Sequence, residues 1–594
     1  MSTRGLRRAA LDVPVALVPP YALIADRGFR DMPEGGVIHV AGAATPAMRF
    51  RGWSLPALVR RLDVPLLLCA ELVVLLRFRN AAWTGFGDDQ FTLLYDSSRI
   101  VHGQVPYRDF FQFIGPGTLW VQAAWMAVFG VDASGPQVLL ALVLAVLGLG
   151  LYLLTLRLTD RRPLALFAPA FVLLELPAHW PWPYHHWYGV TAMVWTLLAM
   201  SAWLRGDRAR WLVLAGAGCV VTGLFVQTYG AALVLGLVAF LVIQARGVAA
   251  LARWVGLLAT GLCVALAPVL AYFALVGGMS RMFYDTVLWA PGHYLRINEY
   301  PFAGDIGYWM RWGLDPTWGS FVNRVLDPGP ALWAVSAYTA LSGGAALVLP
   351  LVGVALGGFL ALEAAGLQLL GAPAPEGAAR NLLTACGLVA FASFVLMVRV
   401  RADMIHLAWA TIVAYPVLLG CAGRRLRRPV AVRTVTASLG ALAAAAGVWF
   451  ATLTAIPGAT ATMDDVASRD PVIAAVRDRT APGDEIAFIG LAGRVYFYGR
   501  PAAVGYTLVL PVDDLTSPDE IEEIRREVAV NRPKIVVFGV GISCTGEPGP
   551  RGCLFPVPDD YGGADGSAVP DRLEADNAIW WIYTRHGPPA TPSG

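Results

Sequence analysis

Residues 87–117 read GDDQFTLLYDSSRIVHGQVPYRDFFQFIGPG and closely follow the first long apolar segment of the chain. Asp88 and Asp89 are adjacent in this stretch. Charged residues this close to a membrane-spanning segment are costly to keep and are functional candidates by default. The ordinary alternative is a helix N-cap followed by a solvated loop residue. The stretch therefore raises two questions: whether the chain spans a membrane, and what two carboxylates do at its surface.

The composition answers the first question. The chain has 594 residues, of which 57% are hydrophobic and only 15% are charged, whereas a soluble domain carries roughly 25% charged residues. The apolar runs lie between residues 64 and 456. The sequence therefore predicts a polytopic α-helical membrane protein. Its net charge of +3 is too small to indicate a nucleic-acid partner, and none is expected.

Membrane-spanning helices need about 20 mostly apolar residues, and the sequence contains about eleven such segments. The run 331–372 contains Pro350 and several glycines, so a break or an extra re-entrant piece is an alternative to one uninterrupted span there. The predicted spans are 62–79, 136–156, 163–178, 188–204, 211–227, 230–245, 254–276, 331–358, 381–398, 404–421 and 433–455.

Arginine placement predicts the orientation. Arginine-rich connections precede the first span and recur at 157–162, 205–210, 246–253 and 423–433. With eleven spans they all fall on one side, which the positive-inside rule assigns to the cytoplasm. Residues 1–60 are then a cytoplasmic leader, residues 61–457 the transmembrane domain, and residues 80–135 its first outer loop.

The last residues, 458–594, are predicted to form an extracytoplasmic α/β domain. DEIAFIG and PKIVVFG are typical of buried strands, and the segment between them is an amphipathic helix with Ser517 as N-cap and Glu520 three residues on. Outside the cytoplasm, Cys544 and Cys553 are expected to form a disulfide.

The opening stretch resembles the first outer loop of the GT-C membrane glycosyltransferases. The resemblance rests on Asp89, Tyr95, Arg99, the segment VPYRDFF that contains Asp109, and a following Pro-Gly. It is strongest for the bacterial branch related to protein O-mannosyltransferases and to the aminoarabinose transferases that modify lipid A. That family carries an Asp-Glu pair where this chain has Asp89 and Gln90. Counting back from Asp109 aligns Asp89 with the family's catalytic aspartate, and Asp88 is the alternative.

Sugar transfer to a hydroxyl requires a base, because an alcohol is a poor nucleophile until its proton is removed. Asp89 is the predicted base, and the neighbouring Asp88 carboxylate would raise its proton affinity. A lipid-phosphate leaving group needs cations, which the segment MVRVRADMIHLAW supplies. Snorkelling anchors are the ordinary alternative for its arginines. The predicted phosphate ligands are Arg399, Arg401, Asp403 and His406.

Aromatic outer loops suggest further substrate contacts. HWPWPYHHWYG contains His185 and His186 among tryptophans and tyrosines. Aromatic belts at the membrane interface explain such loops, and stacking of sugars or lipid on aromatic faces is the alternative. The remaining predicted substrate-binding residues are Arg99, Tyr107, Arg108 and Asp109.

Together these features predict an inverting glycosyltransferase. It would move a sugar from a polyprenyl-phosphate donor to a glycolipid, polysaccharide or protein of the cell envelope, at the outer face of a bacterial inner membrane. A multi-pass lipid or polysaccharide transporter or flippase is the alternative, and a structural scaffold a third. No cofactor is expected, and a divalent metal at Asp88 and Asp89 is left open.

Overall fold

The computed structural model describes a defined part of the chain. The predicted leader, the spans 62–79 and 433–455, Asp403, Ser517 and the Cys544–Cys553 pair lie outside the described residues. The described residues are 88–132, 134–179, 183–206, 208–294, 332–369, 377–401, 404–425, 470–489, 493–499, 501, 518–538, 560–564, 571–575 and 578–586.

Helices dominate the described residues up to 425. The α-helices are α1 Asp88–Val101, α2 Gly117–Phe129, α3 Ser134–Thr159, α4 Arg162–His179, α5 His185–Gly206, α6 Ala209–Phe225, α7 Gln227–Gln244, α8 Val248–Val276, α9 Met279–Phe283, α10 Leu332–Leu369, α11 Ala378–Val400, α12 Met404–Ala410 and α13 Ala414–Arg425. A π-helix, Tyr284–Tyr294, follows α9 directly.

Among the described residues, six helices are long and apolar enough to cross a membrane. They lie within α3, α5, α7, α8, α10 and α11, and the shorter α2 and α6 are also apolar. The prediction of a polytopic helical membrane protein is therefore confirmed. The total of eleven spans stays a prediction.

The predicted span 404–421 is wrong as a single helix. It consists of α12 and α13, which are separated at residues 411–413. There the N–H groups of Ile412 and Ala414 donate to carbonyls three residues back instead of four, which tightens the turn. Pro416 lies in the first turn of α13, where the missing N–H costs little.

The predicted run 331–372 shows no break within its described part. A single helix, α10, extends from Leu332 to Leu369 with Pro350 inside it. No re-entrant piece is present between these two residues.

The connections that are predicted to lie outside the cytoplasm meet at one end of the helix bundle. Gln122 donates to the carbonyl of Pro183 at 2.7 Å, and Gln227 donates to the carbonyl of Phe113 at 2.7 Å. Gly115 packs so tightly on α6 that an added Cβ would collide with the carbonyl of Leu224. These contacts hold the 87–117 stretch against the ends of the helices.

The C-terminal residues form a five-stranded sheet. Its strands are β1 Ile486–Ile489, β2 Ile535–Phe538, β3 Tyr561–Gly562, β4 Asp571–Ala575 and β5 Ala578–Arg585. Strands β1 and β2 are parallel, and β5 pairs antiparallel with β2, β3 and β4. The helices of this part are α14 Pro471–Asp478, α15 Gly493–Tyr498 and α16 Pro518–Asn531.

The predicted strand, helix and strand are confirmed as β1, α16 and β2. The segment VYFY is helical in α15. This helix is attached to β1, since the Tyr496 hydroxyl accepts from the N–H of Phe488 and donates to its carbonyl. The boundary at residue 458 is outside the described residues and stays a prediction.

Both faces of this sheet contact the 87–117 stretch. Side chains alternate between the faces of a strand, so Phe488 and Val537 lie on one face with Tyr95, while Val536 and Phe538 lie on the other with Phe111. The first outer loop and the sheet therefore share two apolar clusters on the same side of the bundle.

Candidate functional site

Helix α1 presents two different faces. Asp88 and Asp89 begin it, and the structure describes the backbone of these two residues but not their side chains. Residues three, four and seven positions apart share a helix face. Asp89 therefore lies in line with Leu93 and Asp96, whereas Asp88 lies in line with Phe91 and Tyr95.

The Phe91 and Tyr95 face packs on the C-terminal sheet and its helices. Tyr95 stacks on Tyr496 with ring centroids 5.3 Å apart and planes 21° apart. Phe91 meets Tyr498 edge to face at 5.5 Å. This contact fixes the rotation of α1 about its own axis, and with it the direction of every other face.

Replacing Tyr95 with leucine is expected to loosen this contact. The stacked pair contributes about 0.5–1.5 kcal/mol beyond the area that it buries. The comparison is with Tyr95→Phe, since both variants lack the hydroxyl and only phenylalanine keeps the ring. The apparent melting temperature in detergent should be lower for leucine than for phenylalanine. Equal values would show that the stack does not stabilise the contact.

The Leu93 face of α1 packs toward the bundle. Leu93 is buried with Phe110, Ile114 and Leu119, and Tyr184 packs against this cluster. One turn further, Ser97 donates to Gln122 at 3.1 Å. The face that contains Asp89 is thus directed to the same side as the loop 183–186.

Arg99 is built into the outer loop. Its Nε donates to Gln104 at 2.5 Å and its Nη2 to the carbonyl of Asp109 at 3.3 Å. The guanidinium lies 4.4 Å from the ring centroid of Phe110, and within the described part of the chain its buried Nη1 has no hydrogen-bond partner. Arg99 therefore orders the loop through Nε and Nη2.

Tyr107 and Asp109 fix the VPYRDFF turn. Tyr107 has a φ of 66°, and its hydroxyl donates to the carbonyl of Ile114 at 2.6 Å. Burial raises the pKa of Tyr107 well above its usual value, and the carboxylates of Asp285 and Asp96 raise it further. The Tyr107 phenol is thus a neutral structural hydrogen-bond donor.

Arg108 and Asp109 form a two-pronged ion pair with N–O distances of 2.8 and 2.7 Å. Asp109 also accepts from the N–H of Val105 at 2.7 Å. The hydrogen bond from Arg108 lowers the pKa of Asp109. Both carboxylate oxygens of Asp109 are occupied within the turn, so the structure gives this residue a role in shaping the loop. Its predicted contact with substrate stays a prediction.

His185 and His186 lie at the start of α5 in an aromatic cluster. The ring of His186 stacks on Trp409 of α12 at 4.4 Å with planes 13° apart. The ring of His406 meets the ring of His186 edge to face at 4.9 Å. The rings of His185 and His186 are 4.2 Å apart. Histidines that are 220 residues apart in the sequence thus form one group, which we call the histidine–tryptophan cluster (His185, His186, His406 and Trp409).

Arg401 lies beside this cluster. It follows the end of α11 in an extended conformation and donates to the hydroxyl of Tyr294 at 3.1 Å. It lies three residues before α12, whose His406 meets the ring of His186 at 4.9 Å. Arg399 occupies the last turn of α11 and is exposed. The structure thus brings Arg401, His186 and His406 together.

Sequence patterns missed several residues near the site. Asp96 is fully buried and accepts from Gln112 at 3.0 Å. Asp285 is fully buried in the π-helix and pairs with Arg281 at 3.1 Å. Asp96 could have been found from its spacing, because it follows Asp89 by seven residues and therefore lies on the same helix face. No comparable pattern points to Asp285.

A metal site built from three or more His, Cys, Asp or Glu side chains is absent from the described residues. The side chains of Asp88 and Asp89 lie outside the described part, and a metal there stays a prediction.

As the resemblance read from the sequence implied, the fold is similar to that of ArnT from Cupriavidus metallidurans bound to undecaprenyl phosphate, with a TM-score of 0.50 and 16% identity over 80% of this chain and 93% of that chain. Apo ArnT from the same organism matches with a TM-score of 0.45 and 17% identity over 81% of this chain and 94% of that chain. The apo Archaeoglobus fulgidus oligosaccharyltransferase matches with a TM-score of 0.44 and 13% identity over 80% of this chain and 70% of that chain.

No family model and no curated protein sequence matches the chain. The likeness in structure therefore concerns the fold.

Proposed function

We propose that the chain is a membrane glycosyltransferase that takes a sugar from a polyprenyl-phosphate donor. The acceptor would be a glycolipid, polysaccharide or protein of the cell envelope, and the reaction would take place at the outer face of a bacterial inner membrane. The observation that carries the proposal is the meeting of α1, Arg401 and the histidine–tryptophan cluster at one end of a bundle with this fold. The ArnT of the same fold was solved with undecaprenyl phosphate bound.

Asp89 is the proposed general base. Its position in α1 is in line with Leu93, which faces the bundle, while that of Asp88 is in line with Tyr95, which faces the C-terminal sheet. A base must reach the acceptor hydroxyl near the donor, and the bundle-facing line is the one that leads toward Tyr184 and the histidines. Attack by the activated hydroxyl from the side opposite the phosphate would invert the anomeric carbon.

Arg401 is the proposed main ligand of the donor phosphate. A guanidinium donates two parallel hydrogen bonds to a phosphate, and the Tyr294 hydroxyl orients that of Arg401 by accepting from its Nη1 at 3.1 Å. Arg399, Asp403 and His406 complete the proposed phosphate site. As the glycosyl bond breaks, the cationic group stabilises the charge that develops on the leaving phosphate.

A reporter that is active only outside the cytoplasm is expected to be active when fused after residue 470. The five arginine-rich connections support this orientation, and the sheet shares two clusters with the outer loop. A fusion within 245–247, in an arginine-rich connection, is the matched control and should be inactive. Activity in the reverse pattern would contradict the proposed location of the site.

The direct test of the function is transfer by the purified protein. Undecaprenyl phosphate carrying a radiolabelled sugar is incubated with the protein and a cell-envelope extract, and label in the extract is measured after the unreacted donor has been separated from all other components. Transfer by the wild type but not by Asp89→Asn protein supports the proposal. Absence of transfer from a panel of hexose and pentose donors would count against it.

A further inference from the structure

Two buried ring nitrogens in the histidine–tryptophan cluster have no hydrogen-bond partner among the residues that the structure describes. They are Nε2 of His186 and Nδ1 of His185, and the two side chains are only 3% and 9% exposed. Buried polar atoms are nearly always hydrogen-bonded, and one left unpaired lowers stability. Such atoms at the end of a bundle point to a ligand that pairs with them.

Both rings are held in place before any ligand arrives. The hydroxyl of Tyr229 lies 2.8 Å from Nδ1 of His186, and the face of the same ring is stacked on Trp409. Tyr184 packs on His185 with ring centroids 4.2 Å apart. The unpaired nitrogens therefore have fixed directions, which is what a specific binding site requires.

The chemistry of the pair suits hydroxyl groups. Two cationic rings 4.2 Å apart would repel each other, so at least one ring is neutral. A neutral imidazole carries one donor and one acceptor nitrogen. A sugar hydroxyl both donates and accepts, and can pair with either kind of nitrogen. The oxygens of a sugar phosphodiester only accept.

The position of the pair relative to Arg401 indicates that the sugar is the donor's. Arg401, the cation proposed to hold the donor phosphate, lies three residues before α12, and His406 of α12 meets the ring of His186 at 4.9 Å. The donor's sugar is covalently attached to that phosphate, so it must occupy the adjacent space.

We infer that His185 and His186 bind the hydroxyl groups of the donor's sugar through Nδ1 and Nε2 respectively. This inference rests on the proposed function, because the position of the phosphate is taken from it. It divides the site into a phosphate part at Arg401 and a sugar part at the histidine pair.

Amide substitutions test each nitrogen separately. An asparagine amide takes roughly the place of Nδ1 and a glutamine amide roughly the place of Nε2. His186→Asn and His185→Gln therefore remove the unpaired nitrogens, whereas His186→Gln and His185→Asn retain a polar atom there. Each residue thus has a matched pair of variants that differ in which ring nitrogen is replaced.

The measurement is the affinity for two probes, undecaprenyl phosphate and undecaprenyl phosphate that carries one sugar. Wild-type protein should bind the sugar-bearing lipid more tightly. His186→Asn and His185→Gln should weaken binding of that lipid by about tenfold, while binding of bare undecaprenyl phosphate changes by less than about threefold. His186→Gln should retain more of the affinity that depends on the sugar than His186→Asn does. His185→Asn should likewise retain more of it than His185→Gln does.

Three results would overturn the inference. The first is a loss of affinity for the bare lipid equal to that for the sugar-bearing lipid. The second is an equal loss of affinity in both variants of each histidine. The third is that the wild type prefers no sugar-bearing lipid in a hexose and pentose panel over the bare lipid. Failure of the proposed function looks different, because the sugar preference would persist without transfer to any acceptor. Circular dichroism and elution profile establish that each variant is folded.

Discussion

Replacing Asp89 with asparagine is expected to lower turnover roughly 10²–10⁴-fold, which is the typical contribution of general-base assistance. Asparagine keeps the shape of the side chain and its hydrogen-bonding capacity but cannot accept the hydroxyl proton. The protein should insert and fold as before, since α1 is held by Leu93 on one face and by Tyr95 on the other. Initial rates are measured at matched protein abundance and matched melting temperature.

Asp88→Asn is the matched control for this change. Asp88 is in line with the α1 face that packs on Tyr496 and Tyr498, so its carboxylate is expected to tune or orient rather than to accept the proton. Its loss should cost less than the loss of Asp89. If Asp88→Asn abolished turnover and Asp89→Asn did not, Asp88 would be the base. Near-normal turnover in both variants would remove this loop from the catalytic centre.

Arg401→Ala is expected to weaken use of the lipid donor by about 1.5–3 kcal/mol, the contribution of a hydrogen bond to a charged group. The effect should appear as a loss of kcat/KM for the donor and of affinity for bare undecaprenyl phosphate. Arg401→Lys should restore part of both, because lysine keeps the charge and lacks the planar fork.

Tyr294→Phe separates the charge of Arg401 from its orientation. This change removes the hydroxyl that accepts from Nη1 at 3.1 Å and leaves the guanidinium in the site. We expect a smaller loss than in Arg401→Ala, in the direction of weaker donor binding. Unchanged donor kinetics in Arg401→Ala would instead make this arginine a membrane anchor.

The sequence predicted those parts of the fold that depend on local composition. A run of apolar residues spans a membrane whatever its neighbours are, so α3 to α8 lie close to their predicted positions. The strands around Phe488 and Val536 and the helix between them also follow from short-range patterns. The break at residues 411–413 was missed because its cause, a turn ahead of Pro416, does not interrupt the apolar run.

The arrangement of the site depended on contacts that no local pattern shows. The sequence placed His186 and His406 in separate loops, and only the packing of α5 against α12 brings their rings to 4.9 Å. The choice between Asp88 and Asp89 was likewise open in the sequence. It depends on the rotation of α1, which Tyr95 sets through a residue about 400 positions later in the chain.

The stack of Tyr95 on Tyr496 has a consequence for how the protein is made. Chains grow at roughly 5–20 residues per second, N-terminal parts first, so Tyr496 leaves the ribosome roughly 20–80 s after Tyr95. During this interval the aromatic face of α1 has been translated without its partner, while the Leu93 face can already pack on Phe110, Ile114 and Leu119. The bundle side of α1 can therefore form early in synthesis, and its sheet side only after most of the chain has been made.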